Sequence, residues 1–245
     1  MIQKIDNSAF RGNGPIKILY PGLHKNQQDT GIGSIGRIDY AHFSGSHTIP
    51  MHPHINDEIL SYFRGGKIIH TDSEGFNASI TQNKLMLMKA GKLFYHEEQM
   101  IDIGEPMEGL QIFIRPAKKD LTPSVIFRDL EDAHSLNEWR LLASPFEDSP
   151  LFFSSQTWIY DIKIDSAKVF SLPTFQQMDL TLLLHVFRGS VKVNDTLQLR
   201  KQDSILLNSA DSISILANTN AELVLFATNE NAEIYKDGMY SGNKL

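Results

Sequence analysis

The sequence predicts an all-β protein built as two tandem β-barrels with few short helices. Three observations carry this. Short apolar or alternating runs recur about every 8–12 residues, turn residues separate them, and the two halves repeat one layout. In the first half the runs include residues 79–81, 84–88 and 110–114. Gly65-Gly66, Asp72-Ser73-Glu74-Gly75 and Gln82-Asn83 punctuate that half as turns. Leu151-Phe152-Phe153 and residues 157–164 open the second series, which continues through 180–187, 190–193, 197–200, 204–207, 212–216 and 222–228. The halves share an echo, Phe63-Arg64-Gly65 and Phe187-Arg188-Gly189, each followed by a hairpin and a further strand. One stretch, 129–142, has Leu130, Ala133, Leu136 and Trp139 near helical spacing. The expected organisation is an N-terminal domain at 1–128, a linker with a short helix at 129–150, and a C-terminal domain at 151–245. Residues 234–245 read as a loose terminal extension.

Bulk properties exclude several functions. The 245 residues contain no cysteine, so there is no disulfide framework, thiol nucleophile or zinc finger. The formal net charge is −6 with acids and bases mixed along the chain, which is not the basic footprint of a nucleic-acid binder. The first residues lack the apolar run of a signal peptide, and no stretch reaches a membrane span. The expectation is a soluble cytoplasmic monomer with no direct nucleic-acid or membrane partner.

Eight of the nine histidines precede residue 135, and His185 stands alone in the second half. In Met51-His52-Pro53-His54 the two imidazoles are i and i+2, so on a strand they share a face. Glu58 follows four residues after His54. His96 and Glu98 have the same i, i+2 relation. If their strand faces the first, two histidines look across at a histidine and a carboxylate. That donor set suits a redox-capable divalent metal with open positions rather than a closed structural zinc site. The spacing leaves the carboxylate as either Glu58 or Glu98. His70, on a hairpin strand, reads as a structural histidine. His185 has no partner ligand, so the second barrel is expected to be metal-free.

The same residues resemble the first cupin domain of the pirin family. They are His52-Pro53-His54-Ile55-Asn56-Asp57-Glu58 with Tyr62 and Gly66, His70-Thr71-Asp72-Ser73-Glu74-Gly75, Leu87-Met88-Lys89-Ala90-Gly91, and His96-Glu97-Glu98. Residues 189–194 and 221–227 are similar to the family's C-terminal cupin. Departures fall at Ile55-Asn56-Asp57, where the family has R-G-F, at Gln82-Asn83-Lys84, and at Glu97. They surround the expected pocket mouth, where Asp57 would favour a smaller or more polar substrate. The resemblance implies a bicupin with one mononuclear metal, usually iron, in the N-terminal barrel. Manganese, nickel, copper, cobalt and zinc are the alternatives. It also implies His52, His54, His96 and Glu98 as ligands and Glu98 as the catalytic base. Glu58 would orient a ligand histidine. The implied activity is oxygen-dependent cleavage of a flavonol such as quercetin, a small aromatic substrate. The alternative is a non-catalytic regulator or redox sensor acting through a protein partner.

Overall fold

The computed structural model describes residues 2–25, 28–177 and 179–244. The chain forms two compact units that interleave along the sequence. One comprises Phe10–Ala133, Phe153–Ser155 and Asn231–Leu245; the other comprises Met1–Ala9, His134–Phe152 and Gln156–Glu230.

Each unit pairs a six-stranded with a four-stranded antiparallel sheet. In the first unit the larger sheet runs Ser124–Asp129, Lys84–Lys89, Glu58–Gly65, Met107–Ile114, Ile35–Phe43, Ile16–Leu19. The smaller runs His47–His54, Phe94–Ile101, Lys67–Asp72, Asn77–Ile80. In the second unit the larger sheet runs Gln3–Ile5, Ser204–Asn208, Thr181–Arg188, Ala221–Thr228, Thr157–Ile164, Arg140–Ala143. The smaller runs Val169–Phe170, Ile215–Ala217, Ser190–Val193, Leu197–Arg200. Two barrels of one design are therefore present. The helical elements among the described residues are two short 3₁₀ turns, Asn7–Ala9 and Pro21–His24, and no helix there is long and apolar enough to cross a membrane.

Alternation explains the cores. On Thr181–Arg188, Leu182, Leu184 and Val186 join Ile162, Ile164, Val191, Ile205, Leu223 and Leu225 in one apolar cluster. Each such fully buried side chain stabilises the fold by about 1.5–3 kcal/mol. In the first unit Phe43, Phe63, Ile68, Ile80, Met86 and Met100 form the corresponding cluster.

Four expectations change. Residues 129–142 are not helical: Asp129 ends one strand, Asn137 is left-handed at φ 59°, and Arg140–Ala143 is a strand. The pairing outweighs the periodicity. Arg140 donates to both carboxylate oxygens of Asp161, at 2.9 and 2.7 Å, across the ladder. The expected linker, 129–150, is thus divided between the units, and residues 140–143 within it form a sheet strand. Leu151-Phe152-Phe153 forms only an isolated bridge, Ser144 to Phe152. The tail is not loose: its backbone bonds into the first unit, with Tyr235 N donating to Pro116 O (2.8 Å) and Met239 N to Ile55 O (2.8 Å). The three-residue echo is slipped by one position. The equivalent turn glycines are Gly66 (φ 75°) and Gly189 (φ 78°), because the sheets align Glu108–Gly65 with Glu222–Arg188.

His185 lies on the face of Thr181–Arg188 opposite the apolar cluster and is fully buried. Its Nδ1 is 2.9 Å from Ser204 Oγ. Burial lowers its pKa to about 4, and Asp203 opposes this only partly. The folded-state value lies below the unfolded one, so falling pH protonates the unfolded chain first. Between pH 7 and 5 this group should remove about 2 kcal/mol of stability. The urea-measured stability difference between the wild type and His185→Gln should shift by about that amount over the same interval. A constant difference would contradict the buried neutral imidazole.

Candidate metal centre

His47–His54 is an edge strand of the four-stranded sheet. Edge position is why Pro50 and Pro53 fit, since neither can donate to a ladder. The strand pairs with Phe94–Ile101, placing His52 directly opposite His96 after an irregularity between Ile49 and His52. His54, two residues on, projects to the same face.

The three imidazoles converge. Nε2 of His54 lies 3.1 Å from Nε2 of His52 and 2.9 Å from Nε2 of His96, and the third side is 3.1 Å. The outer ring nitrogens explain which lone pairs point inward. His52 Nδ1 donates to the Pro50 carbonyl at 2.9 Å, so its Nε2 is unprotonated. His70 Nε2 donates to Asp72 Oδ2 at 2.7 Å, which leaves His70 Nδ1 as an acceptor facing His96 Nδ1 at 3.4 Å. That relay holds the proton of His96 on Nδ1 and frees its Nε2. Around His54 Nδ1, Asp57 Oδ2 lies 3.7 Å away, beyond hydrogen-bond length.

Two inward lone pairs, with the third Nε2 about 3 Å from both, are held together by a proton or a cation among them. Metal–nitrogen bonds of about 2.1 Å at right angles would place the nitrogens about 3.0 Å apart, whereas tetrahedral bonds would place them about 3.4 Å apart. The spacing of the three nitrogens therefore fits coordination of one metal ion. Burial adds to this: His54 and His96 are almost wholly enclosed. Desolvation lowers the pKa of His54 despite the opposing pull of Asp57. Desolvation, then the neighbouring His54, His52 and His70, bring His96 down to about 2. Both rings stay neutral, the form that binds metal.

Glu98 shares the face of His96. Its carboxylate groups with His96 and His70 rather than with the full trio, a ligand atom from each lying within 4.8 Å of the others. Gln111 Nε2 donates to its two oxygens at 2.9 and 2.8 Å. Burial raises its pKa to about 7, with the Gln111 bonds acting against the shift.

Glu58 does not orient a ligand histidine. Its carboxylate accepts from Ser154 N at 3.1 and 3.0 Å and lies 3.8 Å from Lys89 Nζ. Desolvation outweighs both partners and raises its pKa to about 7. The reason is the sheet: Glu58 opens a strand of the six-stranded sheet opposite Lys89. Asp57, one residue earlier, takes the place near His54.

Asp57 also does not face a pocket mouth. It is fully buried and accepts from Ser241 N (2.8 Å) and Tyr240 N (3.1 Å). Asn56 before it is left-handed at φ 55°, a conformation asparagine tolerates better than most residues. It therefore serves where the resembled pattern has glycine. Its side chain accepts from Asp120 N at 2.7 Å. Two features escaped sequence reading: the Asp72–His70–His96 relay, and Tyr240. The Tyr240 ring sits 5.0 Å from His54 and 5.7 Å from Phe113, with the Arg37 guanidinium 4.9 Å from its centroid.

Comparison with known proteins agrees with this architecture. The pirin family model matches residues 25–114, and the model of the quercetinase C-terminal cupin domain matches residues 141–227. The chain belongs to the pirin family. A Pasteurella multocida protein that carries the provisional name quercetin 2,3-dioxygenase is 28% identical over 186 residues, 74% of this chain and 76% of that protein. The quercetin 2,3-dioxygenase of Escherichia coli K12 is 25% identical over 178 residues, 71% of this chain and 74% of that one. Among solved pirin structures, an E. coli bacterial pirin in complex with nickel(II) superposes with a TM-score of 0.77 at 21% identity. That alignment covers 93% of this chain and 99% of the other, and the likeness establishes the bicupin fold.

Proposed function

We propose that the chain is a metal-dependent dioxygenase that cleaves a flavonol such as quercetin. Iron is the proposed metal, with His52, His54, His96 and Glu98 as its ligands. The observation that supports the three histidine ligands is the triangle of Nε2 atoms at 2.9–3.1 Å, two of them oriented by acceptors on the far side of the ring; Glu98 is added because its carboxylate lies beside His96. The substrate class rests on the relatives named quercetin 2,3-dioxygenase.

When bound, the metal supplies Lewis-acid polarisation of a substrate oxygen. The chain's residues do the rest. Glu98 accepts the proton of the flavonol 3-hydroxyl on a carboxylate oxygen, and Gln111 holds that carboxylate in place. Asp72 and His70 keep the His96 ring in one tautomer. Phe113 and Tyr240 beside His54 keep water from that side of the site.

Protein reconstituted separately with iron, manganese, nickel, copper or cobalt should consume quercetin aerobically with at least one of them. Glu98→Gln should lower turnover by about 10²–10⁴-fold, the usual worth of general acid–base assistance. No flavonol consumption with any metal would overturn the reading.

A further inference from the structure

The second barrel holds a cavity of about 470 Å³, lined by Phe146, Trp158, Tyr160, Phe175, Gln176 and Gln177 among others. Trp158 and Tyr160 alternate along Thr157–Ile164 above Ile162 and Ile164 of the apolar cluster. The cavity is therefore the mouth of that barrel.

Its position is the counterpart of the histidine site. Asn56 (φ 55°) and Asp179 (φ 60°) are equivalent left-handed residues, each just before a strand of the six-stranded sheet. Counting back, His54 falls with Gln177 and His52 with Phe175. On the neighbouring strand, Trp158 opposite Ala227 takes the place of Arg37 opposite Phe113. Tyr160 opposite Leu225 takes the place of Asp39 opposite Gln111. Imidazoles and charges in one barrel are thus aromatic rings and an amide in the other. Among the described residues, the groupings of metal-ligating side chains lie in the first unit.

The rings are arranged as walls. Phe175 meets Tyr160 edge-on at 5.8 Å and 89°, and Phe146 meets Trp158 at 6.3 Å and 66°. Phe146 is 56% exposed and stands at the rim. The volume lies within the range of small-molecule sites. Polar side chains share the lining with the rings: Ser144, Asp148, Thr174, Gln176 and Gln177 stand beside them. Among the described lining residues Asp148 is the charged one, and none is a lysine or arginine that would hold an anion. The Tyr160 hydroxyl and the Gln176 amide supply donors, and Asp148 supplies an acceptor.

We propose that this cavity is a second ligand site, for a neutral planar aromatic molecule bearing a hydroxyl group. Rings stack between the aromatic pairs, and the hydroxyl meets the polar edge. The site is independent of the metal and of the reading of the first barrel.

Naphthol titrated into the metal-loaded full chain should bind saturably and quench tryptophan fluorescence. Phe175→Ala should weaken binding about tenfold, the loss of one aromatic contact. Phe146→Ala should act in the same direction. Both side chains are only partly buried, and unchanged circular dichroism checks that each variant folds. Naphthalenesulfonate should bind about tenfold more weakly or worse, for want of a cation. His54→Ala should leave naphthol binding unchanged. The proposal is overturned by absence of saturable binding, by equal binding of the sulfonate, or by binding that His54→Ala removes and Phe175→Ala spares.

Discussion

His54→Ala is expected to leave the chain folded and nearly free of metal. His54 Nε2 closes the triangle with both other imidazoles. Without it, His52 and His96 remain as a pair on the two strands. Metal affinities of 10–16 kcal/mol spread over four ligands imply about 3 kcal/mol for each, hence a loss of about a hundredfold or more. Elemental analysis of protein purified without chelators, followed by titration, reads this directly. The fold should survive, because the apolar clusters of the first unit contain none of the three histidines. The buried ring does leave a void beside Tyr240 and Phe113, costing about 1–3 kcal/mol in the metal-free protein. His185→Ala should leave metal content unchanged, since His185 lies in the other barrel. A His54→Ala protein with full metal content would mean that the triangle is not the site.

What the sequence made legible follows from how local each signal is. Strand alternation repeats every two residues, so runs such as Thr157–Ile164 and Ser190–Val193 could be read directly. The i, i+2 spacing placed His52 with His54 and His96 with Glu98 for the same reason. His70 could not be read this way. Its role depends on Lys67–Asp72 pairing with Phe94–Ile101, which sets Asp72 opposite His96, and no local pattern reports that register. The tail was illegible for a different reason. Ser241 and Tyr240 are held through backbone amides, which every residue but proline offers, so their identities carry no trace of the contact. The helical spacing over 129–142 misled because a few apolar residues can match any period by chance. The Arg140–Asp161 pair that decided the outcome joins residues 21 apart.

Arg115→Met is expected to destabilise the first unit by about 3–5 kcal/mol and to free the C-terminal segment. Arg115 is the largest side chain that is wholly buried. Its Nε donates to the Ser241 carbonyl at 2.9 Å and its Nη1 to the Gly33 carbonyl at 3.0 Å. Its guanidinium also pairs with Asp29. The backbone is shaped around it: a Cβ on Gly31 would lie 2.8 Å from the Arg115 Cζ. Burial alone would raise the Asp29 pKa, but Arg115, the Gly31 amide and Lys236 outweigh it and bring the value down to about 2. Methionine fills much of the same volume but leaves Asp29 and two carbonyls facing an apolar chain. Breaking a buried pair from one side costs more than the pair contributes, and Asp29 keeps only Lys236 (3.1 Å) and the Gly31 amide (2.9 Å) against its charge. With total stabilities of about 5–15 kcal/mol, a loss of that size should move the urea midpoint strongly. Freed at Ser241, the tail should also withdraw Tyr240 from His54 and become open to proteolysis. Removing the Asp29 charge as well tests the cause: Asp29→Asn combined with Arg115→Met should cost less than the sum of the two changes. Strict additivity would mean that the Arg115–Asp29 pair is not the source of the lost stability.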